Sequence, residues 1–372
     1  MYTIQHHILR VVCVFWLVAK GISFTAWSGA GRLFPVIPAF GFLENVPAAV
    51  HTTLFCFSLA AMILLLLFPK VKTIAAVLVI VEVSSCLLDV VRWQPWEYQY
   101  LFITTIFLMS GPNSRSFYSG MVLITVSVYI FSGLHKLNGG FLYTIWESMI
   151  LKGFFNISTR HILDWKLHYT GLLLPVVEAA AGLGLLFTKS RKAAAVLLMV
   201  MHMLLLILLG PWGLDYNIIV WPWNVAMIII LYLLFFKNTI SLSFATVFSR
   251  QHAIVLLFWG VLPIFSFTGH WDSHFSSSLY PGDTKNLAIC ISNKVLVPGL
   301  SQYFTRNDRH SICDGGNTLS LQKWAFSELN LPPYPEEWYY RRFKNKWEKE
   351  HPGVAVKFYI YAYPYRFHKE IR

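Results

Sequence analysis

The sequence predicts a polytopic α-helical membrane protein, about nine transmembrane helices followed by a small extracytoplasmic α/β domain. Three observations carry this. Hydrophobic residues make up 56% of the 372-residue chain and charged residues only 13%. Apolar runs of about 20 residues recur along most of its length, each enough to cross roughly 30 Å of hydrocarbon. The composition then changes: residues 270–372 hold 14 Lys plus Arg and 10 Asp plus Glu, against 16 and 8 in residues 1–269. The chain therefore divides into a helical part, 1–269, and an appendage, 270–372. Disordered, collagenous, coiled-coil and disulfide-framework classes are excluded by the same composition.

The apolar runs fall at 8–27, 47–68, 73–91, 97–110, 117–134, 168–188, 193–210, 217–236 and 253–269, separated by Pro, Gly and charge clusters. Run 97–110 is the shortest, and without it everything downstream would invert. Lys20 inside the first run, with no small-residue cleavage site, makes that run an uncleaved helix rather than a signal peptide. Lys70 and Lys72, Arg115, Lys189 to Lys192, and Lys237 with Arg250 lie in alternate loops. The positive-inside bias then places the amino terminus in the cytoplasm and the carboxyl-terminal domain outside. It also accounts for the net charge of +12 without nucleic acid, because the basic residues form no stripe or motif.

Between the fifth and sixth runs, Phe141, Leu142, Ile145, Met149, Ile150 and Phe154 recur at helical spacing and predict an interfacial helix. Asn156-Ile157-Ser158 is a glycosylation sequon on the outer side. In the tail, Asn286–Ser292 and Val354–Ala362 alternate as strands, while Leu319–Leu329 and Glu336–Glu350 read as helices, the second entered through Pro335. Cys13, Cys56 and Cys86 sit in apolar runs and Cys290 and Cys313 in the tail. This is no metal pattern, and one tail disulfide is open to the last two.

A charge in hydrocarbon costs several kcal/mol, so each ionisable residue within a run is a candidate site or a paired structural group. Glu178 lies 11 residues before Lys189 and His202 10 after Lys192, which puts both about 15 Å from the cytoplasmic face on antiparallel neighbours. They can meet, either as a helix-locking pair or as a catalytic or proton-relay pair. Glu82 and Asp89 share one helical stripe. At the outer side stand Ser132 to Leu137, including His135 and Lys136, and Asp215 leading to Trp221, Pro222 and Asn224. For Lys136, snorkelling competes with catalysis; for Trp93, Trp96, Trp221 and Trp223, interfacial anchoring competes with stacking on a bound ring.

The stretch Tyr129-Ile130-Phe131-Ser132-Gly133-Leu134-His135-Lys136-Leu137 resembles the membrane domain of vitamin K-dependent gamma-carboxylase and the wider HTTM family, where a Gly-x-x-Lys-Leu element closes a helix. The resemblance continues through Leu173, Pro175, Glu178, Ala181 and Gly182, then His202, and upstream through Leu88-Asp89 and Trp93, covering roughly 80–236. It implies that Lys136 is the base that deprotonates a hydroquinone, whose oxygenation yields a base strong enough to take a γ-proton from glutamate before carbon dioxide adds. Desolvation at the edge of an apolar pocket would make such a lysine a usable base. The chain departs from the family in three places. Gln94-Pro95-Trp96-Glu97-Tyr98-Gln99 lacks the expected histidine, His135 replaces a lysine, and the tail is short. A relative with another task is implied.

The expectation is thus an outward-facing apolar pocket for a quinol or other hydrophobic cofactor. Lys136, Glu178 and His202 carry its chemistry, and Asp89, Trp93, Glu97, His135, Asp215, Trp221 and Asn224 bind the cofactor. A non-catalytic partner for maturation or assembly of a secreted or redox protein, docking through Trp338 to Phe343 in the tail, is the alternative reading; a transporter ranks below both.

Overall fold

The computed structural model describes residues 3–29, 31–110, 114–237, 244–291, 297–305, 312–313, 317–365 and 368–371. It is mostly helical and ends in a small antiparallel sheet. The helical part runs α1 (Ile4–Ile22), α2 (Phe24–Ser28), α3 (Ala48–Leu67), α4 (Lys72–Leu88), α5 (Pro95–Met109) and α6 (Ser114–His135). A π-helical stretch, Phe141–Phe154, stands where the interfacial helix was expected. Then come α7 (Thr159–Asp164), α8 (Leu173–Gly184), α9 (Arg191–Leu209), α10 (Val220–Tyr232), α11 (Phe244–Val247) and α12 (Ala253–Leu256).

Among the described residues five helical segments are long and apolar enough to cross a membrane: Ala48–Leu67, Arg115–His135, Arg191–Leu209, Val220–Lys237 and Arg250–Thr268. They coincide with five of the nine runs. The other four runs are helical over most of their length but differ for local reasons. α1 carries His6, His7, Arg10 and Lys20, which dilute its hydropathy. α4 stops at Asp89, whose backbone is extended. α5 opens with Pro95 in its first turn, two residues before the run, and is only 15 residues long. α8 is preceded by a tight 3-10 stretch, Leu167–Leu172, which shortens its α-helical part to 12 residues.

α6 is the axis of the bundle, with 89% of its apolar window buried against 22–44% in the other four. It packs against α5 and α8; α3 packs on α4, α9 on α10, and α1 on α3 and α10. Contacts sort the loops into two ends. At one end Arg10 donates to the Leu66 carbonyl, Lys72 to those of Leu108 and Ser110, and His252 bonds to the Ser116 carbonyl. At the other, Gln94 donates to the Pro332 carbonyl, Asn138 to that of Pro281, Asn217 to the Tyr280 hydroxyl, and Arg342 to the Pro38 and Ala39 carbonyls. The tail covers that second end.

The tail folds as β1 (Asn286–Ile291), β2 (Phe304–Thr305), β3 (Asn317–Ser320), α13 (Leu321–Leu329), α14 (Glu337–Glu350), β4 (Val356–Tyr361) and β5 (His368–Glu370). The sheet order is β2-β3-β1-β4-β5, all antiparallel, with Ala288 opposite Ser320 on one side and Tyr359 on the other. The predicted strands and helices fall within two residues of those found, while Ser292 lies outside the described residues. β2, β3 and β5 are additional and too short for alternation to reveal. Trp324, Phe343 and Trp347 pack edge-on and stacked to form the core, and Ser320 caps α13 by accepting from the Lys323 N–H. Cys290 and Cys313 are disulfide-bonded, with Cα atoms 5.3 Å apart.

Candidate functional site

The site forms where α6, α8, α9 and α10 meet. Gly133 on α6 lies against α8 so closely that a Cβ there would stand 2.6 Å from the Pro175 carbonyl oxygen; on α8, a Cβ at Gly182 would stand 2.8 Å from the Tyr129 Cβ. Two glycines about one helical turn apart thus let the helices approach closely. Cα–Cβ bonds tilt toward the start of a helix, so on antiparallel helices the side chains of Lys136 and Glu178 lean toward each other. Lys136 Nζ reaches Glu178 Oε2 at 2.6 Å and donates to Ser132 Oγ, one turn back, also at 2.6 Å. Their side chains are 13% and 7% exposed, so the pair is largely desolvated.

Deeper in the bundle, Asn224 donates through Nδ2 to the Val220 carbonyl at 2.8 Å, the groups facing one another across a turn of α10. That fixes Oδ1 toward His202 Nδ1, 2.7 Å away. An amide oxygen only accepts, so Nδ1 carries the proton and Nε2 is left to accept from the Tyr129 hydroxyl at 2.7 Å. Tyr129 lies seven residues before Lys136 and therefore on the same face of α6.

Between these two polar groups is a cavity of about 110 Å³. Tyr129, Ser132, Lys136, Glu178, His202 and Asn224 supply its polar atoms, and Leu, Met, Val, Ile and aromatic side chains the rest. A second cavity of about 250 Å³ lies beside it toward the tail, and Ile145, Val220, Trp223, Leu279 and Tyr280 line both. Trp223 is fixed in that partition by donating to Gln99 Oε1 at 2.6 Å.

Of the residues singled out in the sequence, Lys136, Glu178, His202 and Asn224 come together here. The expected pairing is rearranged: Glu178 takes Lys136 as its partner, and His202 takes Tyr129 and Asn224. Depth alone allows Glu178 to meet His202, but depth fixes height along a helix and not azimuth. His135 points elsewhere, stacking on Phe267 at 4.3 Å and bonding Ser266. Trp221 donates to the Tyr216 carbonyl, and Asp215 is exposed at the α9–α10 turn.

Asp89, Trp93 and Glu97 do not line the Lys136 cavity. Asp89 binds Arg32 at 2.6 Å and lies 3.9 Å from Arg92. Glu97 accepts from Trp16 Nε1 at 2.6 Å, beside a Lys20–Glu82 pair at 2.7 Å in which Ser58 also donates to Glu82. Lys20 Nζ is 3.1 Å from the Trp27 ring centroid, and Arg92 donates to the Trp27 carbonyl. These buried charges tie α1 through α5 together. Trp93 packs on Phe275, and its carbonyl accepts from His274 Nδ1 at 2.8 Å. Burial pushes His274, which lies in the tail, down to about 4.

Sequence reasoning missed Tyr129, Lys20, Arg32 and Arg92. For Tyr129 and Lys20 the usable signal was a polar group in an apolar run, which needs a partner at matching depth; Arg32 and Arg92 lie in loops and gave no such signal. In the stretch Trp338 to Phe343, Tyr339, Tyr340 and Phe343 are buried in the domain core, leaving Trp338, Arg341 and Arg342 nearer the surface.

No protein-family model, curated protein or solved structure matches the chain.

Proposed function

We propose that this chain is an integral membrane protein of HTTM type, akin to the membrane domain of vitamin K-dependent gamma-carboxylase, that binds a quinol or similar hydrophobic cofactor in the Lys136 cavity. The observation that carries the reading is the Lys136–Glu178 pair, 2.6 Å apart and mostly buried, in the wall of a largely apolar cavity. The bundle crosses the bilayer, with the tail on the extracytoplasmic side.

The residues present suit such a group. A cavity of about 110 Å³ takes little more than one ring, so a prenyl tail would remain among the helices or in lipid. Lys136 and Tyr129 then offer two separate polar contacts for ring oxygens. A bound hydroquinone supplies two electrons and two exchangeable protons. Lys136 and Glu178 form a neutral pair whichever of them holds the shared proton, so moving it from Nζ to Oε2 costs no net charge in the apolar site. The free amine so formed can accept a proton from a hydroxyl placed against it. Ser132 keeps Nζ oriented, and the His202–Asn224 bond keeps the Tyr129 hydroxyl in one direction. The neighbouring 250 Å³ cavity gives a second reactant a place on the tail side of Trp223.

The test is organic extraction and mass spectrometry of protein purified in mild detergent, wild type against Lys136→Ala. Co-purified quinone near one per chain, lost in the variant, supports the reading and warrants a carbon dioxide incorporation assay. Quinone absent from both, with unchanged bulk lipid, removes its support and turns attention to capture of a protein partner through the tail.

A further inference from the structure

The Lys136 cavity and the 250 Å³ cavity are divided by side chains that belong to two kinds of element. Ile145 stands on the π-helical stretch and Val220 and Trp223 on α10, so moving them means moving part of the bundle. Leu279 and Tyr280 belong instead to a loop of the tail, 277–282, that bonds to residues of the bundle on either side of it.

The backbone of this loop is strained. Ser277, Tyr280 and Gly282 are all left-handed, with φ of 53°, 51° and 80°. Gly282 adopts such a φ freely, but a side chain as bulky as tyrosine rarely does, so contacts outside the loop must hold Tyr280 there. Asn217, just before α10, donates through Nδ2 to the Tyr280 hydroxyl at 2.7 Å. Asn138 Nδ2 donates to the Pro281 carbonyl at 3.0 Å, and Thr144 Oγ1 lies 3.2 Å from the Gly282 carbonyl oxygen. Gly140 and Gly282 press together so closely that a Cβ on Gly140 would stand 2.7 Å from the Asp283 nitrogen.

These ties end next to the reacting groups. Asn138 follows Lys136 by two residues; it also donates to the His135 carbonyl at 2.6 Å and accepts from the Phe141 N–H at 2.9 Å. One amide therefore joins the end of α6, the start of the π-helical stretch and the loop. Opening the partition at Trp223 would break its bond to Gln99 inside the bundle. Opening it at the loop breaks contacts at the junction with the tail and relaxes a left-handed tyrosine, which is the easier movement.

We propose that the 277–282 loop is a gate between the two cavities, held shut by the Asn217–Tyr280 bond, through which a water-borne reactant in the 250 Å³ cavity reaches Lys136. This rests on the reading of Lys136 as the reacting base and adds the regulation of that site. With the loop down, Leu279 and the Tyr280 ring close the Lys136 cavity on the tail side; with the loop lifted, the cavities join. Whatever binds the tail and shifts the loop then controls access to Lys136.

The experiment measures thiol reactivity and so needs no quinone. It uses the full chain in mild detergent, carrying Cys56→Ser because Cys56 is exposed. Val128→Cys puts a thiol in the wall of the Lys136 cavity, and Thr284→Cys one in the wall of the 250 Å³ cavity alone. A small anionic methanethiosulfonate is added from water and labelling is followed by mass spectrometry. Two variants cut the tie: Tyr280→Phe keeps the ring and removes the hydroxyl, and Asn217→Gly removes the amide while suiting the φ of 54° at that position. With the native loop, Val128→Cys should react at least about tenfold more slowly than Thr284→Cys. Each variant should speed labelling of Val128→Cys about fivefold, the worth of one hydrogen bond, and leave Thr284→Cys unchanged. Val128→Cys reacting as fast as Thr284→Cys under the native loop, or at one rate whether or not the tie is cut, overturns the proposal. Melting temperatures are followed alongside, and if one variant unfolds, the other decides. Quinone retention in the same samples reports on Lys136 separately: loss of that reading leaves the gate tested, and a failed gate leaves quinone binding intact.

Discussion

Gly133 and Pro175 define how the site is assembled: no side chain fits between them, because a Cβ on Gly133 would lie 2.6 Å from the Pro175 carbonyl oxygen and 2.9 Å from the Ala179 Cβ. The groups in the way are backbone and a methyl, neither of which can swing aside. Gly133→Val should force α6 and α8 apart, cost roughly 1–3 kcal/mol by overpacking, and pull Lys136 away from Glu178. The check is thermal unfolding together with quinone retention. A variant with wild-type melting and wild-type retention would show that this contact is not what positions Lys136.

The Lys136–Glu178 pair separates stability from function. Lys136→Met leaves Glu178 as an unpaired carboxylate against an apolar cavity, at a cost of roughly 3 kcal/mol. Lys136→Met combined with Glu178→Leu removes both charges and should recover most of that loss, because a buried ion pair is about as stable as an apolar pair of similar volume. Neither protein should retain quinone. Retention by the double variant would mean that the cavity needs only its apolar wall.

How much of this was legible follows from what periodicity and counting can report. Glu178, His202 and Asn224 stood out as polar groups in apolar runs and Lys136 as a cation at the end of one, and arithmetic at 1.5 Å per residue put Glu178 and His202 at similar depth. Azimuth was not available, since it depends on which helices are neighbours, and although Gly133 and Gly182 stand in the elements that carry the resemblance, nothing in the sequence says that they press on each other's helices. Tyr129 was hidden because a tyrosine in an apolar run looks like core. Asp89 and Glu97 read as neighbours of Lys136 because depth does not reveal that Arg32 and Arg92 close on the one and Trp16 on the other. The tail was easier: β1, β4, α13 and α14 are long enough to show alternation or helical spacing, whereas the two-residue β2 and three-residue β5 exist only through their pairing.

The Tyr129–His202–Asn224 chain makes a directional prediction. Asn224→Leu removes the acceptor that holds the proton on His202 Nδ1, so the ring is free to carry it on Nε2, where it no longer accepts from Tyr129. The loss should be about 1–3 kcal/mol for the hydrogen bonds left unmade. Asn224→Asp keeps an acceptor at the same place and should preserve the Nδ1–H form. Nitrogen-15 spectra of labelled His202 distinguish the tautomers. The same Nδ1–H spectrum in wild type and Asn224→Leu would show that the amide does not set the ring.

His274 gives the junction between tail and bundle a pH dependence whose sign can be worked out. Its pKa in the folded protein is pushed down to about 4, chiefly by burial, from an ordinary value of 6.5. Between those values the unfolded chain binds a proton that the folded protein refuses, so stability falls as pH is lowered from 7. The loss begins near 6.5 and levels off below about 4, and a shift of this size corresponds to roughly 3 kcal/mol. Burial also raises Glu336 and Asp283 in the tail, which works in the opposite direction at the acid end of the window. Comparison with His274→Gln therefore isolates the histidine: the amide can still donate to the Trp93 carbonyl but does not titrate. Melting temperatures should fall between pH 7 and pH 4.5 by several degrees more in wild type than in the variant, and parallel curves would mean that protonated His274 is accommodated without disturbing the junction.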